Sequence, residues 1–329
     1  MEEKIEKELK WAVLGTGVIA NEMAQALEKM GKKLYAVANR THSKAVEFAG
    51  KYGVQKIYDK IEDMFTDEET DIIYITTPHN THIKFMIEAL KNGKHVLCEK
   101  SITLNSEELE EAVKIAKEKN LILGEAMTIF NMPLYTELSE IVNSGKLGDV
   151  KMIQVNFGSY KEYDMSNRFF NRNLAGGALL DIGVYAISIT RLFMTSKPDN
   201  VLSQVKYAPT GVDEQASIIM MNKEQQMSTI ALTLHSKQPK RVVIACEKAY
   251  IEITEYPRAD KAKIVYTETG EIEEITAGMT ANALQYELQN MEESVKTGIN
   301  KMKLEYTIDV MDIMTKLRKE WGMTYPEEE

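Results

Sequence analysis

The stretch Lys10–Ala20, KWAVLGTGVIA, decides the fold of this chain. Its first part, Trp11–Leu14, is a short apolar run of the kind that forms a strand buried on both faces. The glycines that follow match the pattern G-x-G-x-x-G/A and lead into a predicted helix at residues 21–30. Gly15 permits a tight turn, and Gly17 lets the backbone approach a pyrophosphate. We therefore predict a dinucleotide site, with the pyrophosphate on the free amides at the start of the helix.

The composition of the 329 residues limits the possible functions. The chain exceeds the size at which one hydrophobic core stops growing, so two domains are expected. A formal net charge of −10 argues against nucleic acid and anionic membranes as partners. We expect no membrane-spanning segment, because no apolar run approaches the ~20 residues that a span needs. The chain start also lacks a signal peptide's apolar core. Cys98 and Cys246 lack metal-ligand spacing, so we predict buried thiols in a protein of the reducing cytoplasm.

Short apolar runs alternate with helical patterns through the first part of the chain. Strands are predicted at residues 33–38, 71–76, 94–99 and 121–127, and helices at 43–52, 60–65, 105–120 and in a segment that ends at residue 92. This order predicts an α/β fold with a doubly wound parallel sheet. We assign residues 1–125 to a Rossmann dinucleotide-binding domain.

The pattern changes after residue 126. Two helices (133–144 and the apolar 176–194) flank a strand at 150–159 and a polar, aromatic loop at 160–173. Six strands follow at 201–207, 214–221, 227–235, 240–246, 249–254 and 263–267, and helices at 279–297 and 304–320 come last. Polar alternation in these strands predicts a largely antiparallel sheet, usually solvated or partnered on one face. Residues 126–329 are therefore expected to form an α+β domain.

The residues after the second strand decide which dinucleotide binds. An acidic residue there would hold the ribose 2′-hydroxyl of NAD, but this chain has Asn39 followed by Arg40. A guanidinium pairs with phosphate through two parallel charged hydrogen bonds, and it is able to lie flat on adenine. We therefore predict that NADP is preferred over NAD.

Polar residues at the ends of the later strands are expected to line the same crevice, because strand ends in doubly wound sheets face the cofactor. The residues predicted to contact the dinucleotide are Gly15, Thr16, Gly17, Val18, Ile19, Asn39, Arg40, Thr76, Thr77, His79, His82, Glu99 and Lys100. No metal is predicted at the two histidines, since no acid nearby completes a site and hydride transfer needs no metal.

Three motifs resemble those of the Gfo/Idh/MocA oxidoreductases: GTGVIA at residues 15–20, CEKS at 98–101 and GGALLDIGVY at 176–185. The last motif is most similar to the branch of dimeric dihydrodiol dehydrogenase and NADP-dependent D-xylose dehydrogenase. The resemblance implies a Rossmann domain, an open-faced sheet that often pairs subunits, and hydride transfer on sugars, polyols or related alcohols. Ser101 stands where the family usually has proline, and Tyr185 where its commonest base is histidine.

Lys100, Asp181 and Tyr185 are the predicted catalytic residues. Asp181 and Tyr185 are four apart on a predicted helix and share a face, and Lys100 is expected to meet them across the cleft. A tyrosine pKa must fall by roughly three units, about 4 kcal/mol, for the phenol to act as a base near neutrality. One ammonium at about 4 Å supplies on the order of 4 kcal/mol. We expect Lys100 to lower the pKa of Tyr185, and Asp181 to keep Lys100 charged or orient a substrate hydroxyl.

Two residues keep two interpretations each. Arg168, in the polar loop, contacts substrate or is a surface charge, and Glu125 is a cleft residue or a structural anchor. If Tyr185 is not the base, Asp181 or His79 is the next candidate.

The favoured function is NADP-dependent hydride transfer on an aldose, cyclic polyol or vicinal diol, by a homodimer or a dimer of dimers formed through the C-terminal sheet. Two other classes stay open. A cofactor-sensing regulator without turnover need not keep the three catalytic residues. An NAD-dependent glycosidase of the same fold would hold NAD tightly, which Arg40 does not favour.

Overall fold

A computed structural model describes residues 8–329, so the first seven residues of the predicted Rossmann domain lie outside the described part. Its first sheet has six strands: β1 (Trp11–Leu14), β2 (Ala36–Ala38), β3 (Lys56–Ile57), β4 (Ile72–Ile75), β5 (His95–Glu99) and β6 (Leu123–Ala126). Their spatial order is β3-β2-β1-β4-β5-β6, and every pair is parallel. The strand order reverses between β1 and β4, which is where such sheets form a ligand crevice.

Helices separate these strands: α1 (Val18–Lys29), α2 (His42–Tyr52), α3 (Ile61–Thr66), α4 (His82–Lys91) and α5 (Ser106–Glu118). Every residue of β1, β2 and β4 is buried, as expected for strands covered on both faces. The predicted doubly wound sheet is therefore confirmed. β3 was not predicted, because its two residues are too short for an apolar run and one of them is exposed.

The second sheet has eight strands: β7 (Val150–Gly158), β8 (Asn200–Tyr207), β9 (Asp213–Met221), β10 (Met227–Thr233), β11 (Gln238–Cys246), β12 (Ala249–Thr254), β13 (Lys261–Tyr266) and β14 (Ile272–Thr276). Their order is β14-β13-β12-β11-β7-β10-β9-β8. Only the β7–β10 pair is parallel, so the prediction of a largely antiparallel sheet is confirmed. The edge strand β14 was not predicted, because Ile275 is its only buried residue.

The remaining helices are α6 (Thr128–Asn131), α7 (Pro133–Asn143), α8 (Val184–Phe193), α9 (Ala283–Thr297) and α10 (Leu304–Glu320). The predicted continuous helix at 176–194 is wrong in its first half, where a π-helical turn at Leu179–Gly183 precedes α8. The helical stretch Arg172–Phe193 has the length and apolarity of a membrane span, contrary to expectation, but 78% of its apolar window is buried inside the protein. Such burial is what a core helix shows.

The chain returns to the first sheet near its end. Leu284, Leu288 and Met291 of α9 share a buried cluster with Met23 and Leu27 of α1. An amphipathic pattern shows that a helix has an apolar face but not which element covers it, so the sequence did not reveal this packing. The division at residues 125/126 stays a prediction, and α9 completes the core of the dinucleotide-binding half.

Candidate active site

The loop between β1 and α1 has the geometry of a dinucleotide cradle. Gly15 has φ +112°, and a Cβ there would lie 2.4 Å from Thr76 Oγ1. A Cβ at Gly17 would have no atom within 4 Å, so space is open where a phosphate would approach. The helix begins at Val18, three residues earlier than predicted, and the amides of its first turn lack intrahelical acceptors. These features fit a bound pyrophosphate.

The end of β2 supplies the residues predicted to bind the adenosine end of the dinucleotide. Asn39 donates from Nδ2 to Thr16 Oγ1 (2.7 Å) and accepts from the amide of Thr41 (2.8 Å), which ties this turn to the glycine loop. Arg40 is exposed, and within residues 8–329 it forms no ion pair or hydrogen bond. Its guanidinium is therefore available to a ligand.

A cavity of about 410 Å³ lies between the edge of the first sheet at which α1 begins and the segment that leads into the π-helical turn. Its walls bring together ten predicted site residues: Gly17, Val18, Ile19, Thr76, Thr77, His79, Glu99, Lys100, Arg168 and Asp181. Gly15, Thr16, Asn39 and Arg40 lie outside this cavity, towards the end of β2. Tyr185 is not on the wall, but its ring centroid lies 4.9 Å from Lys100 Nζ.

Lys100 crosses the cleft from the end of β5 to the π-helical turn. Its Nζ donates to the carbonyl oxygen of Asp181 (2.8 Å) and lies 3.5 Å from Asp181 Oδ1. Burial acts to lower the pKa of Lys100, but the adjacent Tyr185 and Asp181 outweigh it, so the pKa is above its ordinary value. Lys100 is therefore charged at neutral pH. The contact with Asp181 agrees with the expectation that this carboxylate stabilises the Lys100 ammonium.

Ser101 makes a second connection across the cleft. Its Oγ donates to the carbonyl oxygen of Leu180 (2.9 Å), and the Lys100–Ser101 peptide bond is cis. The residue that stands in place of the usual proline thus joins β5 to the turn that carries Asp181.

The expected fall in the pKa of Tyr185 is wrong for the protein alone. Burial raises this pKa, the charge of Lys100 lowers it by less, and the result lies above the ordinary value. The Lys100 ammonium is bonded to Asp181, and no hydrogen bond to the Tyr185 hydroxyl occurs within the described residues. Tyr185 is therefore protonated at neutral pH, which is the form that donates a proton.

The two histidines have different surroundings. His79 lines the cavity and donates from Nε2 to the carbonyl oxygen of Lys100 (3.0 Å). Burial, together with the charges of His82 and Lys100, lowers the pKa of His79 to about 3, so its ring is neutral. His82 is fully buried, with its ring nitrogens 3.0 Å from the Ser101 carbonyl and 2.7 Å from the Thr77 carbonyl. The prediction that His82 lines the crevice is wrong, because it packs beneath the wall.

Arg168 and Glu125 have different surroundings in the structure. Arg168 lies on the cavity wall, with Nη2 3.7 Å from Asp181 Oδ1. Glu125 is 1% exposed and accepts from the amide of Ile102 (3.1 Å) and Thr307 Oγ1 (3.0 Å), so it is a structural anchor. Burial raises the pKa of Glu125 to about 7.

Part of the cavity wall was not predicted. The additional residues are Pro78, Phe169, Leu174, Ala175, Gly176 and Gly177. Gly177 has φ +125°, and a Cβ there would lie 2.1 Å from Asp213 Oδ1, so the chain passes too close for a side chain. The sequence signal for this part of the wall was the pair Gly176 and Gly177, which follows the aromatic loop. Within residues 8–329, no group of three or more His, Cys, Asp or Glu side chains is placed to hold a metal ion.

Comparison with known proteins gives the family of the chain. Residues 9–127 match a family described as an oxidoreductase family with an NAD-binding Rossmann fold, and residues 135–252 match the GFO/IDH/MocA C-terminal domain. The trans-1,2-dihydrobenzene-1,2-diol dehydrogenase of Xenopus laevis is 30% identical over 329 residues, which is 96% of this chain and 99% of the relative. The chain belongs to the Gfo/Idh/MocA oxidoreductases. The human enzyme of the same name is 26% identical over 97% of this chain and 99% of its own.

Solved structures share the fold of this Gfo/Idh/MocA protein. KijD10, a 3-ketoreductase from Actinomadura kijaniata in complex with NADP and TDP-benzene, has a TM-score of 0.85 at 18% identity and covers 95% of this chain and 98% of its own. A levoglucosan dehydrogenase with NADH and levoglucosan has a TM-score of 0.83 at 16% identity, with 95% and 98% covered. The resemblance inferred from the motifs is confirmed, and the protein is an NAD(P)-dependent oxidoreductase of the CH–OH type.

Proposed function

We propose that this enzyme transfers hydride between NADP(H) and a secondary alcohol or carbonyl carbon of an aldose, cyclic polyol or vicinal diol. The observation that carries the proposal is the meeting of Lys100 from β5 with Asp181 and Tyr185 at the cavity that also exposes the start of α1. The dihydrodiol dehydrogenase relatives support the substrate class. A bound nicotinamide would supply the hydride chemistry, and Gly17, Val18 and Ile19 would hold its pyrophosphate.

The residues of this chain handle the substrate proton. Because the pKa of Tyr185 is raised, its hydroxyl is a proton donor to a carbonyl oxygen in the direction of reduction. In the direction of oxidation it must first lose that proton, and Lys100 is the cation that stabilises the phenolate. Asp181 holds the Lys100 ammonium at the cavity wall through its carbonyl and carboxylate oxygens.

The test is turnover on a panel of aldoses, cyclic polyols and vicinal diols, with their carbonyl counterparts. The purified protein should oxidise NADPH, or reduce NADP, with at least one member of the panel. A protein that binds NADPH tightly but turns over no panel member would contradict the proposal and favour a cofactor sensor. A scan of the purified protein for tightly held NAD would identify the glycosidase class.

The first prediction concerns cofactor preference. Arg40 is free to pair with the adenosine 2′-phosphate, and a charged hydrogen bond of about 1.5–3 kcal/mol corresponds to a roughly ten- to 150-fold preference for NADP(H) over NAD(H). Fluorescence titration of both cofactors into the wild type and the Arg40→Asp variant measures the two dissociation constants.

Arg40→Asp should remove the preference or reverse it, because a carboxylate repels the phosphate and accepts a ribose hydroxyl. Arg241→Asp, at another exposed arginine on β11, is the matched control and should keep the wild-type ratio. Equal affinities of the wild type for both cofactors would disprove the role of Arg40.

The second prediction concerns assembly. Leu202 of β8 and Ile219 of β9 are opposite each other in register, and they are 63% and 44% exposed. Ile272 of β14, at the far edge of the sheet, is 57% exposed. Exposed apolar side chains on a sheet mark a subunit contact, so we propose a homodimer or a dimer of dimers through this sheet. Sedimentation velocity at micromolar concentration should show the assembly.

The double variant Leu202→Glu/Ile219→Glu should sediment as a monomer, since it places four carboxylates in a symmetric interface. Val46→Glu is the control, because Val46 is also exposed (46%) but lies on α2, in the dinucleotide-binding half of the chain. A wild-type protein that sediments only as a monomer would refute the proposal.

We also propose a cytoplasmic location and small molecules as the only ligands. Cys98 and Cys246 are free thiols, as in proteins of reducing compartments; Cys98 is buried as predicted, whereas Cys246 is only half-buried. The net charge of −10 argues against nucleic acid as a partner.

A further inference from the structure

Positive charge exceeds negative charge at the substrate end of the cavity. Asp181 faces Lys100 at 3.5 Å and Arg168 at 3.7 Å, and the charge of Lys161 acts on the same carboxylate. In the described part of the chain, Lys161 has no acidic group within 4.0 Å, and Arg168 has only Asp181, which Lys100 already neutralises. The Asp181 carboxylate is therefore shared among three cations, Lys100, Arg168 and Lys161.

The other charged groups nearby do not remove this excess. Glu99 is on the cavity wall, where it accepts a hydrogen bond from the Tyr74 hydroxyl, and its charge acts on Lys100. With Glu99 included, two carboxylates face three cations. Lys240 is a further cation of the region and is paired with Glu255 at 3.0 Å. Arg168, which shares Asp181 with Lys100, and Lys161, which has no ion pair within residues 8–329, are thus the cations available to a ligand.

One aromatic ring positions both cations. Arg168 Cζ and Lys161 Nζ each lie 4.1 Å from the ring centroid of Phe169, which is itself on the cavity wall. Arg168 is 60% exposed and so remains accessible to a ligand. Burial and the charges of Arg168, Lys100 and Lys240 lower the pKa of Lys161 against the opposing effect of Asp181, so a further anion beside Lys161 would stabilise its charged form.

We infer that the substrate carries an oxyanion, a carboxylate or a phosphate, which Arg168 and Lys161 bind at the rim of the cavity. The inference rests on the proposed function and narrows its substrates to acidic sugars or polyols. A guanidinium offers parallel N–H donors that match two oxygens of a carboxylate or phosphate, and an ammonium adds a point charge. The secondary alcohol or carbonyl group of the same molecule then faces Lys100 and Tyr185.

Calorimetric titration tests the inference without requiring turnover. The probes are D-glucose, D-gluconate, D-glucuronate and D-glucose 6-phosphate, each added to the protein with and without NADPH. At least one anion should bind ten times more tightly than glucose, and the best probe distinguishes carboxylate from phosphate. Arg168→Gln and Lys161→Gln should each weaken that binding about ten- to 150-fold, as expected for a hydrogen bond to a charged group.

Two further variants control for charge and for folding. Arg168→Lys keeps the charge and should retain part of the affinity, whereas Lys91→Gln removes an exposed charge from α4 and should change nothing. Glucose binding as tightly as every anion, no anion binding at all, or wild-type anion affinity in both Gln variants would overturn the inference. Because turnover on neutral sugars is measured separately, an enzyme that acts only on them keeps the proposed function and loses this inference.

Discussion

Replacing Tyr185 with phenylalanine is expected to lower turnover by about 10²–10⁴-fold, the usual contribution of a positioned acid–base group. The substitution keeps the ring near Lys100 and Phe157 and removes only the hydroxyl. Cofactor affinity should be unchanged, because the predicted dinucleotide contacts all lie within residues 1–125 and do not include Tyr185. The measurement is kcat for the wild type and Tyr185→Phe on the substrate found by the panel, with NADPH affinity measured in parallel.

Tyr250→Phe is the matched control, since Tyr250 is an exposed tyrosine of β12 far along the chain from the cavity. Its turnover should equal that of the wild type. Near-wild-type turnover in Tyr185→Phe would exclude the phenol as the acid–base group, and Asp181 or His79, both on the cavity wall, would be tested next.

Replacing Lys100 with methionine is expected to be similarly damaging and to change the pH dependence of what activity remains. In the structure, the charge of Lys100 lowers the pKa of Tyr185 against the larger effect of burial. Removing the ammonium therefore raises the phenol pKa, so the pH at which Tyr185 becomes a base moves upward. The rising limb of kcat against pH for alcohol oxidation should shift to higher pH in Lys100→Met.

Lys100→Arg distinguishes the effect of the charge from that of the hydrogen bond to Asp181. It keeps a cation near Tyr185 but loses the geometry of the ammonium group. Its activity should fall, while the rising limb of its pH profile stays closer to that of the wild type. A limb that stays at the wild-type pH in Lys100→Met would show that Lys100 does not influence the titrating group.

Local sequence predicted the dinucleotide-binding half well. A strand buried on both faces must be apolar along its whole length, so β1 and β4 were visible as short continuous runs. Gly15 was identifiable from the glycine pattern, and its conformation explains why glycine is needed there. Its φ is +112°, and a Cβ would lie 2.4 Å from Thr76 Oγ1. The spacing of Asp181 and Tyr185 placed them near each other within one helical segment, which the π-helical turn modifies without separating them.

The details of contacts between distant residues were decided by the tertiary structure. The sequence predicted that Lys100 meets Asp181, 81 residues away, but not that its ammonium bonds the Asp181 carbonyl oxygen or that Phe169 lies against both Lys161 and Arg168. The pKa of Tyr185 was predicted in the wrong direction for the same reason. Charge spacing is readable from a motif, but the burial that opposes it depends on every element packed around the side chain.

The sequence by itself determined the family and the parallel sheet, and it named the proposed dinucleotide cradle and the proposed reacting side chains, because each rests on local spacing or backbone conformation. Only the tertiary structure decided that His82 supports the cavity wall from beneath, that Glu125 anchors the two halves, and that α9 packs against α1. These outcomes depend on which surfaces meet, and local periodicity carries no information about the partner that covers an apolar face.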